Sequence, residues 1–214
     1  MIPFESMQAK AVNIAIAKRI QQEAWAASAE LAELFGEPDM LIGRGRRNTT
    51  LTAYAPTKSS SFIIGQASEI IQPELSNYKI QDLQKGKFTI LNPYLKMLLG
   101  EKGLDTPETW DSILANRGSV QHLAGLTQHE KDVFKTFEEI APMEIIIQAA
   151  GRQAFIDQSQ SLNLWIHPKT PVNQINKLMI EAWRMGVKSL YYQIGENAAQ
   201  AFARDISECV SCSA

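Results

Sequence analysis

Residues 161–193 constrain the fold more than any other stretch of this chain. Residues 161–166 (SLNLWI) alternate in polarity and predict a strand. Thr170-Pro171 then opens a helix whose apolar positions are Ile175, Leu178, Met179, Ala182 and Trp183. Gly186 ends that helix, and residues 187–193 (VKSLYYQ) predict a second strand. Strand, helix and strand at this spacing form a βαβ unit, which pairs its two strands in parallel.

The remainder is mostly helical. A long helix is expected over 6–35, stopped by Gly36, with Val12, Ile16, Ile20, Ala24, Ala27, Leu31 and Leu34 spaced as one buried face. Residues 49–55, rich in Thr and closed by Pro56, predict a further strand, and a helix follows over 59–71, stopped by Pro73. Asn92-Pro93 and Thr106-Pro107 start two short helices ending near Gly100 and Gly118. Thr127 and Glu130 form a capping box for a helix through 140, and Pro142 begins one through about 156. Three strands separated by helices indicate part of an α/β sheet or barrel, too few to close one. The division expected is a domain over 1–193 and a polar, Ala-rich, mobile tail over 194–214.

Composition narrows the function. Lys and Arg total 21 against 23 Asp and Glu, and the resulting net charge of −2 argues against a dedicated nucleic-acid binder. No apolar run approaches the ~20 residues that span a bilayer, and MIPFESMQAK lacks the pattern of a secretory signal. The only cysteines, Cys209 and Cys212, do not make a disulfide framework, so a reducing cytoplasm is expected.

Three constellations can carry chemistry. Pro56, Thr57, Lys58, Ser59, Ser60 and Ser61 lie between a strand and a helix, where backbone N–H groups and hydroxyls could bind phosphate. Plain helix capping by Thr57 or Ser59 is the simpler reading of that stretch alone. Tyr191 and Tyr192 end the second strand of the βαβ unit, where paired phenols could relay a radical. Adjacent strand side chains point to opposite faces, so spacing alone favours one core and one surface tyrosine. Cys209-Val210-Ser211-Cys212 is a C-x-x-C in the tail, suited to thiol–disulfide exchange. His122, His129 and His167 are scattered, and no metal site is expected. The arginines of 43–47 are expected to be solvated or structural.

In order along the chain, IPFES (2–6), GRRNTTL (45–51), APTKSSSFIIGQ (55–66), SNYKIQDLQKGKFTILNPYL (76–95), GSVQHL (118–123), KDVFKTFEEI (131–140), FIDQSQSLNLWI (155–166), KTPVNQINKLMIEAWRMGVKSLYYQ (169–193) and the ECVSC ending resemble the large subunit of class I ribonucleotide reductases. The resemblance covers essentially the whole chain. It implies the C-terminal portion of a ten-stranded α/β barrel whose finger loop carries a thiyl radical, and radical-based reduction of ribonucleotides to 2′-deoxyribonucleotides. It implies that Pro56, Thr57, Lys58, Ser59 and Ser60 cradle the substrate phosphates, with Lys58 at a position that varies in the family. It also implies that Tyr191 and Tyr192 pass the radical, and that Cys209 and Cys212 re-reduce the active-site disulfide.

With both cysteines on the tail, none remains for the radical site. Either a second polypeptide supplies the missing parts or this chain is one fragment of a longer one, and the expectation is a large subunit encoded in two pieces, of which this one is inactive alone. The partners expected are a complementary N-terminal fragment with the finger-loop cysteine, a small subunit holding the metal-radical cofactor, thioredoxin or glutaredoxin, and a ribonucleoside diphosphate. No cofactor is expected on this chain. The competing reading is a non-catalytic redox adaptor carrying a C-x-x-C arm.

Overall fold

The computed structural model describes residues 1–64, 68, 71–83 and 86–195. Helix α1 spans Met7–Phe35, with the Ser6 hydroxyl accepting from the Ala9 N–H at 3.1 Å and Gly36 (φ 74°) ending it. The large apolar residues expected to be its buried face are exposed: Val12, Ile16, Ile20, Leu31 and Leu34 are 39–66% accessible. What α1 buries is a narrow strip of small residues, Ala17, Ser28 and Ala32. Near its start α1 lies close against α6 (Pro142–Gln153), where a Cβ on Gly151 would stand 3.3 Å from Ile14, and farther along the Ser28 hydroxyl accepts the Arg47 and Asn48 N–H groups, both at 3.1 Å. Polar bonds fasten the pair: Lys10–Glu144 at 2.6 Å, and Asn13 Nδ2 donating to the Gln148 carbonyl at 2.8 Å.

Two core clusters follow. The first joins Phe137, Ile145, Ile146 and Ala149 to Leu162, Leu164, Ala182 and Val187, so α6 packs on the sheet and on α7 (Val172–Arg184). The second gathers around α3 (Pro93–Glu101) and α4 (Pro107–Ala115), with Leu95, Leu99, Trp110, Ile113 and Phe134. Both short helices start as expected, with Asn92 and Thr106 capping and Pro in the first turn. The helix expected through 140 stops early: α5 is Gln128–Val133, and a single 3-10 turn covers Phe137–Glu139. The reason is geometric. Phe134 belongs to one cluster and Phe137 to the other, so the chain must bend between them. Glu139 holds the bend by accepting the Thr136 N–H at 2.8 Å.

A hairpin of β1 (Tyr78–Leu83) and β2 (Gly86–Leu91) is an element that the sequence reading missed. It is antiparallel, with Tyr78 opposite Leu91 and Leu83 opposite Gly86. The alternation around Tyr78, Ile80, Phe88 and Ile90 was the available signal. Helix α2 is described over Lys58–Ile64, starting one residue before the expected 59–71.

The βαβ unit is present and parallel, but its regular strands are short. β3 is Leu164–Trp165 and β4 is Gln193–Ile194, with Leu164 opposite Gln193. Ladder bonds reach further: Tyr191 N–H to the Leu162 carbonyl (2.7 Å), Leu164 N–H to Tyr192 (3.0 Å) and Ile166 N–H to Ile194 (2.7 Å). The second strand therefore runs one residue past Gln193, where a tail was expected to begin. The expected strand over 49–55 is reduced to one parallel bridge, Tyr54 to Gln160. Tyr54 exchanges bonds with Ser159 and Ser161, whereas Leu162, Leu164 and Ile166 bond on the opposite edge. The 159–166 segment is thus the middle of three parallel segments. The α7 face is also narrower than expected, since Ala182 is buried while Trp183 is 76% exposed.

Candidate functional site

The middle segment carries buried amides where a strand core would ordinarily be apolar. Gln160 and Asn163 are 2% and 7% exposed. Gln160 donates to the Ala149 carbonyl (3.0 Å) and to Gln153 Oε1 (2.9 Å), and accepts from Arg152 Nε. Arg152 also donates to Asn13 Oδ1 at 3.1 Å. Burial pulls its guanidinium pKa down to about 10, which leaves it charged at neutral pH among neutral acceptors. Asn163 Oδ1 accepts the Tyr192 N–H at 3.2 Å, and its carbonyl accepts from Gln72 Nε2 at 3.2 Å. These amides fix the backbone on which Tyr191 and Tyr192 stand. They were not singled out from the sequence, although a polar residue inside a buried strand was the signal.

Tyr191 and Tyr192 do not divide between core and surface. Both are more than half exposed, at 54% and 58%, and their ring centroids lie 4.0 Å apart with planes at 50°. The strict alternation expected of a strand fails here: the backbone of both residues bonds to the middle segment, yet the two rings meet. The Tyr191 phenol is pushed above its ordinary pKa of 10.0, first by its hydrogen bond with Tyr192. The two phenols thus form one contacting pair at the surface.

Pro56 and Thr57 are exposed and lead directly into α2, whose first turn contains Lys58, Ser59 and Ser60. Ser60 is exposed, whereas Ser61 is buried, and the Ser61 N–H donates to the Thr57 carbonyl at 3.0 Å. Pro56, Thr57 and Ser60 thus lie at the surface. Cys209 and Cys212 lie outside the described residues.

The basic loop has the structural role expected of it. Arg47 Nη1 donates to the Phe35 and Gly36 carbonyls (2.9 and 2.6 Å), closing the end of α1, and Arg46 sits 4.7 Å over the Trp25 ring. His122 shares a 2.6 Å hydrogen bond with Ser112, and partial burial lowers its pKa. Among the described residues no group of three or more His, Cys, Asp or Glu could hold a metal, and no helix is long and apolar enough to cross a membrane.

Comparison with known proteins adds the following. The family model for the ribonucleotide reductase barrel domain matches residues 38–193. The ribonucleoside-diphosphate reductase large subunit of Invertebrate iridescent virus 3 is 40% identical over 195 residues, covering 90% of this chain and 31% of that protein. The corresponding protein of Dictyostelium discoideum is 34% identical, covering 98% of this chain and 28% of that protein. Among solved structures, the Actinobacillus ureae class Id ribonucleotide reductase alpha subunit superposes with a TM-score of 0.85 at 52% identity, covering 92% of this chain and 36% of that one. This chain spans about a third of the length of these relatives.

Proposed function

Because this chain belongs to the ribonucleotide reductase large-subunit family and folds as part of its barrel domain, we propose that it supplies one part of a working class I reductase. In this reading it contributes the substrate phosphate stretch Pro56, Thr57, Lys58, Ser59 and Ser60. It also contributes the radical-transfer pair Tyr191 and Tyr192, and the reducing dithiol Cys209 and Cys212. The activity is radical-based reduction of ribonucleoside diphosphates to 2′-deoxyribonucleotides.

The observation that carries the reading is the tyrosine pair. Rings 4.0 Å apart and both more than half exposed suit a relay that meets a partner at the surface. Tyrosines placed for packing would bury their rings instead. The phosphate stretch agrees with it, since Thr57 and Ser60 are exposed where the Tyr54 segment leaves the sheet.

Partners follow from what this chain lacks. Both thiols fall at 209 and 212, so the thiyl cysteine comes from the remaining large-subunit segments. The exposed apolar residues of α1 provide a surface for those segments to cover. A small subunit with a metal-radical cofactor generates the radical that Tyr191 and Tyr192 receive, and thioredoxin or glutaredoxin recharges the dithiol by exchange.

The test is deoxyribonucleotide formation by three mixtures: the chain alone, the chain with the small subunit, and both with the complementary large-subunit segments. Only the third should turn over. Product from either of the first two would refute the assignment, as would a third mixture that assembles yet stays inactive.

A further inference from the structure

Asp157 takes no part in the chemistry above, yet it governs how the chain approaches the phosphate stretch. Residues 49–55 are not a regular strand, and their place in the sheet depends on the single Tyr54–Gln160 bridge. Upstream of that bridge, Asp157 and Gln158 anchor the segment, Gln158 Nε2 donating to Thr50 Oγ1 at 2.8 Å and the Asp157 carboxylate taking two backbone N–H groups. Asp157 Oδ2 accepts the Leu51 N–H at 2.7 Å and the Thr52 N–H at 3.3 Å. The contact is reciprocal, because Thr52 Oγ1 accepts the Asp157 N–H at 2.9 Å and the Thr52 carbonyl accepts the Gln158 N–H at 3.0 Å. Thr52 is 8% exposed, so water is poorly placed to replace these bonds.

The turn that bears Asp157 is itself held rigid. Lys188 Nζ donates to the Asp157 carbonyl at 2.6 Å, and the buried Gln153 donates to the Ile156 and Gln158 carbonyls at 3.3 and 3.0 Å. Lys188 thus binds the backbone of Asp157, and the carboxylate serves the Leu51 and Thr52 amides. Ionised acceptors make the stronger bonds to backbone N–H groups. Three residues separate Thr52 from Pro56, with Tyr54 between them bonded to Ser159 and Ser161, so the Thr52 anchor and the Tyr54 bridge together set where the stretch from Pro56 begins.

We propose that Asp157 is a positioning residue for substrate: its carboxylate clamp on Leu51 and Thr52 sets the placement of Pro56–Ser60 and hence affinity for a ribonucleoside diphosphate. This rests on the phosphate reading given above. The clamp acts on binding rather than on the chemical step, so its loss raises KM and spares kcat.

The assembled reductase containing Asp157→Ala, Asp157→Asn or Ser60→Ala is assayed for kcat and KM with a ribonucleoside diphosphate, and hydrogen exchange is followed in the full chain. Asp157→Ala should raise KM by about tenfold with kcat changed by less than about twofold. It should speed exchange at Leu51 and Thr52 while α6 keeps its protection. Asp157→Asn retains a neutral acceptor oxygen and should lie between the parent and Asp157→Ala. Lost kcat at unchanged KM, or lost protection across α6, overturns the proposal. If Asp157→Ala does not assemble, Asp157→Ser, whose hydroxyl is too short to span both amides, must raise KM, and unchanged KM there overturns the clamp. A raised KM in Ser60→Ala but not in Asp157→Ala refutes the clamp and leaves the phosphate reading standing. Unchanged KM in both refutes the phosphate reading and the clamp with it.

Discussion

The Asn77 side chain donates to the Gly118 carbonyl at 2.9 Å, and the Asn77 N–H reaches the same oxygen at 3.3 Å. The two residues are 41 apart in sequence and join the start of the hairpin to the exit of α4. The junction is tight on both sides. A Cβ on Gly118, which has φ 79°, would overlap Ser76 Oγ and stand 2.7 Å from the Asn77 nitrogen.

Asn77 also donates to the Phe134 carbonyl at 2.8 Å and accepts from Asn92 Nδ2 at 2.8 Å, while being 4% exposed. Asn77→Ala abandons buried carbonyls that water cannot reach, and should cost about 2–4 kcal/mol. Gly118→Ala adds a steric clash and a disfavoured φ, so it should destabilise at least as much. Thermal or urea unfolding measures both, and a parent-like midpoint in either would mean that the junction relaxes freely.

The second core cluster should be acid-labile. Trp110 Nε1 donates to Asp105 at 2.7 Å and Lys96 approaches it at 2.9 Å, and these bonds lower the Asp105 pKa from 3.8. The Thr127 backbone bond, then Lys102, lowers that of Glu130 from 4.5. Depressed carboxylate pKa values stabilise the fold above the unfolded values, and that contribution is lost as pH falls through the folded ones. Trp110 fluorescence should therefore be constant above about pH 5 and change progressively below about 4.5. Asp105→Asn should flatten the change, and an undiminished transition in that variant would point to other groups.

The tyrosine pair has a spectroscopic signature independent of turnover. Because the hydrogen bond with Tyr192 raises the Tyr191 pKa, the neutral phenol persists above pH 10.0. Whatever this bond adds to stability is complete below the ordinary pKa and is lost as pH rises through the raised one. Tyr192→Phe should move the Tyr191 phenolate transition, read by ultraviolet absorbance, downward toward its ordinary value. In the assembled reductase, Tyr191→Phe and Tyr192→Phe should each abolish turnover with assembly intact, since Phe keeps the ring and lacks the O–H. Near-normal activity in an assembled variant would assign that tyrosine to packing.

Thiol–disulfide exchange through a mixed disulfide needs two cysteines to complete a cycle. Cys209→Ser and Cys212→Ser should therefore permit about one equivalent of deoxyribonucleotide per active site and then stall with thioredoxin or glutaredoxin as reductant. Dithiothreitol, small enough to enter unaided, should restore slow turnover. Sustained thioredoxin-driven turnover in the double variant would exclude the dithiol from the catalytic cycle.

Local chemistry was legible in the order of residues. Ser6, Asn92, Thr106 and Thr127 cap the helices they were expected to start, and Gly36 ends α1 as expected. The parallel βαβ pair was legible too, because a helix between two short strands leaves few other ways to pair them. The capping and stop signals act over four or five residues and need no distant partner. The division between buried and exposed faces was not of this kind. Val12, Ile16, Ile20 and Leu31 have helical spacing, yet α1 buries Ala17, Ser28 and Ala32, and Ser28 is covered by the remote segment whose Arg47 and Asn48 N–H groups its hydroxyl accepts. The contact of Tyr191 with Tyr192, and the grip of Asp157 on Leu51 and Thr52 more than a hundred residues away, likewise came only with the tertiary structure. Periodicity marks which residues could share a face. Which face is covered, and which buried polar group meets which amide, depends on segments remote in sequence.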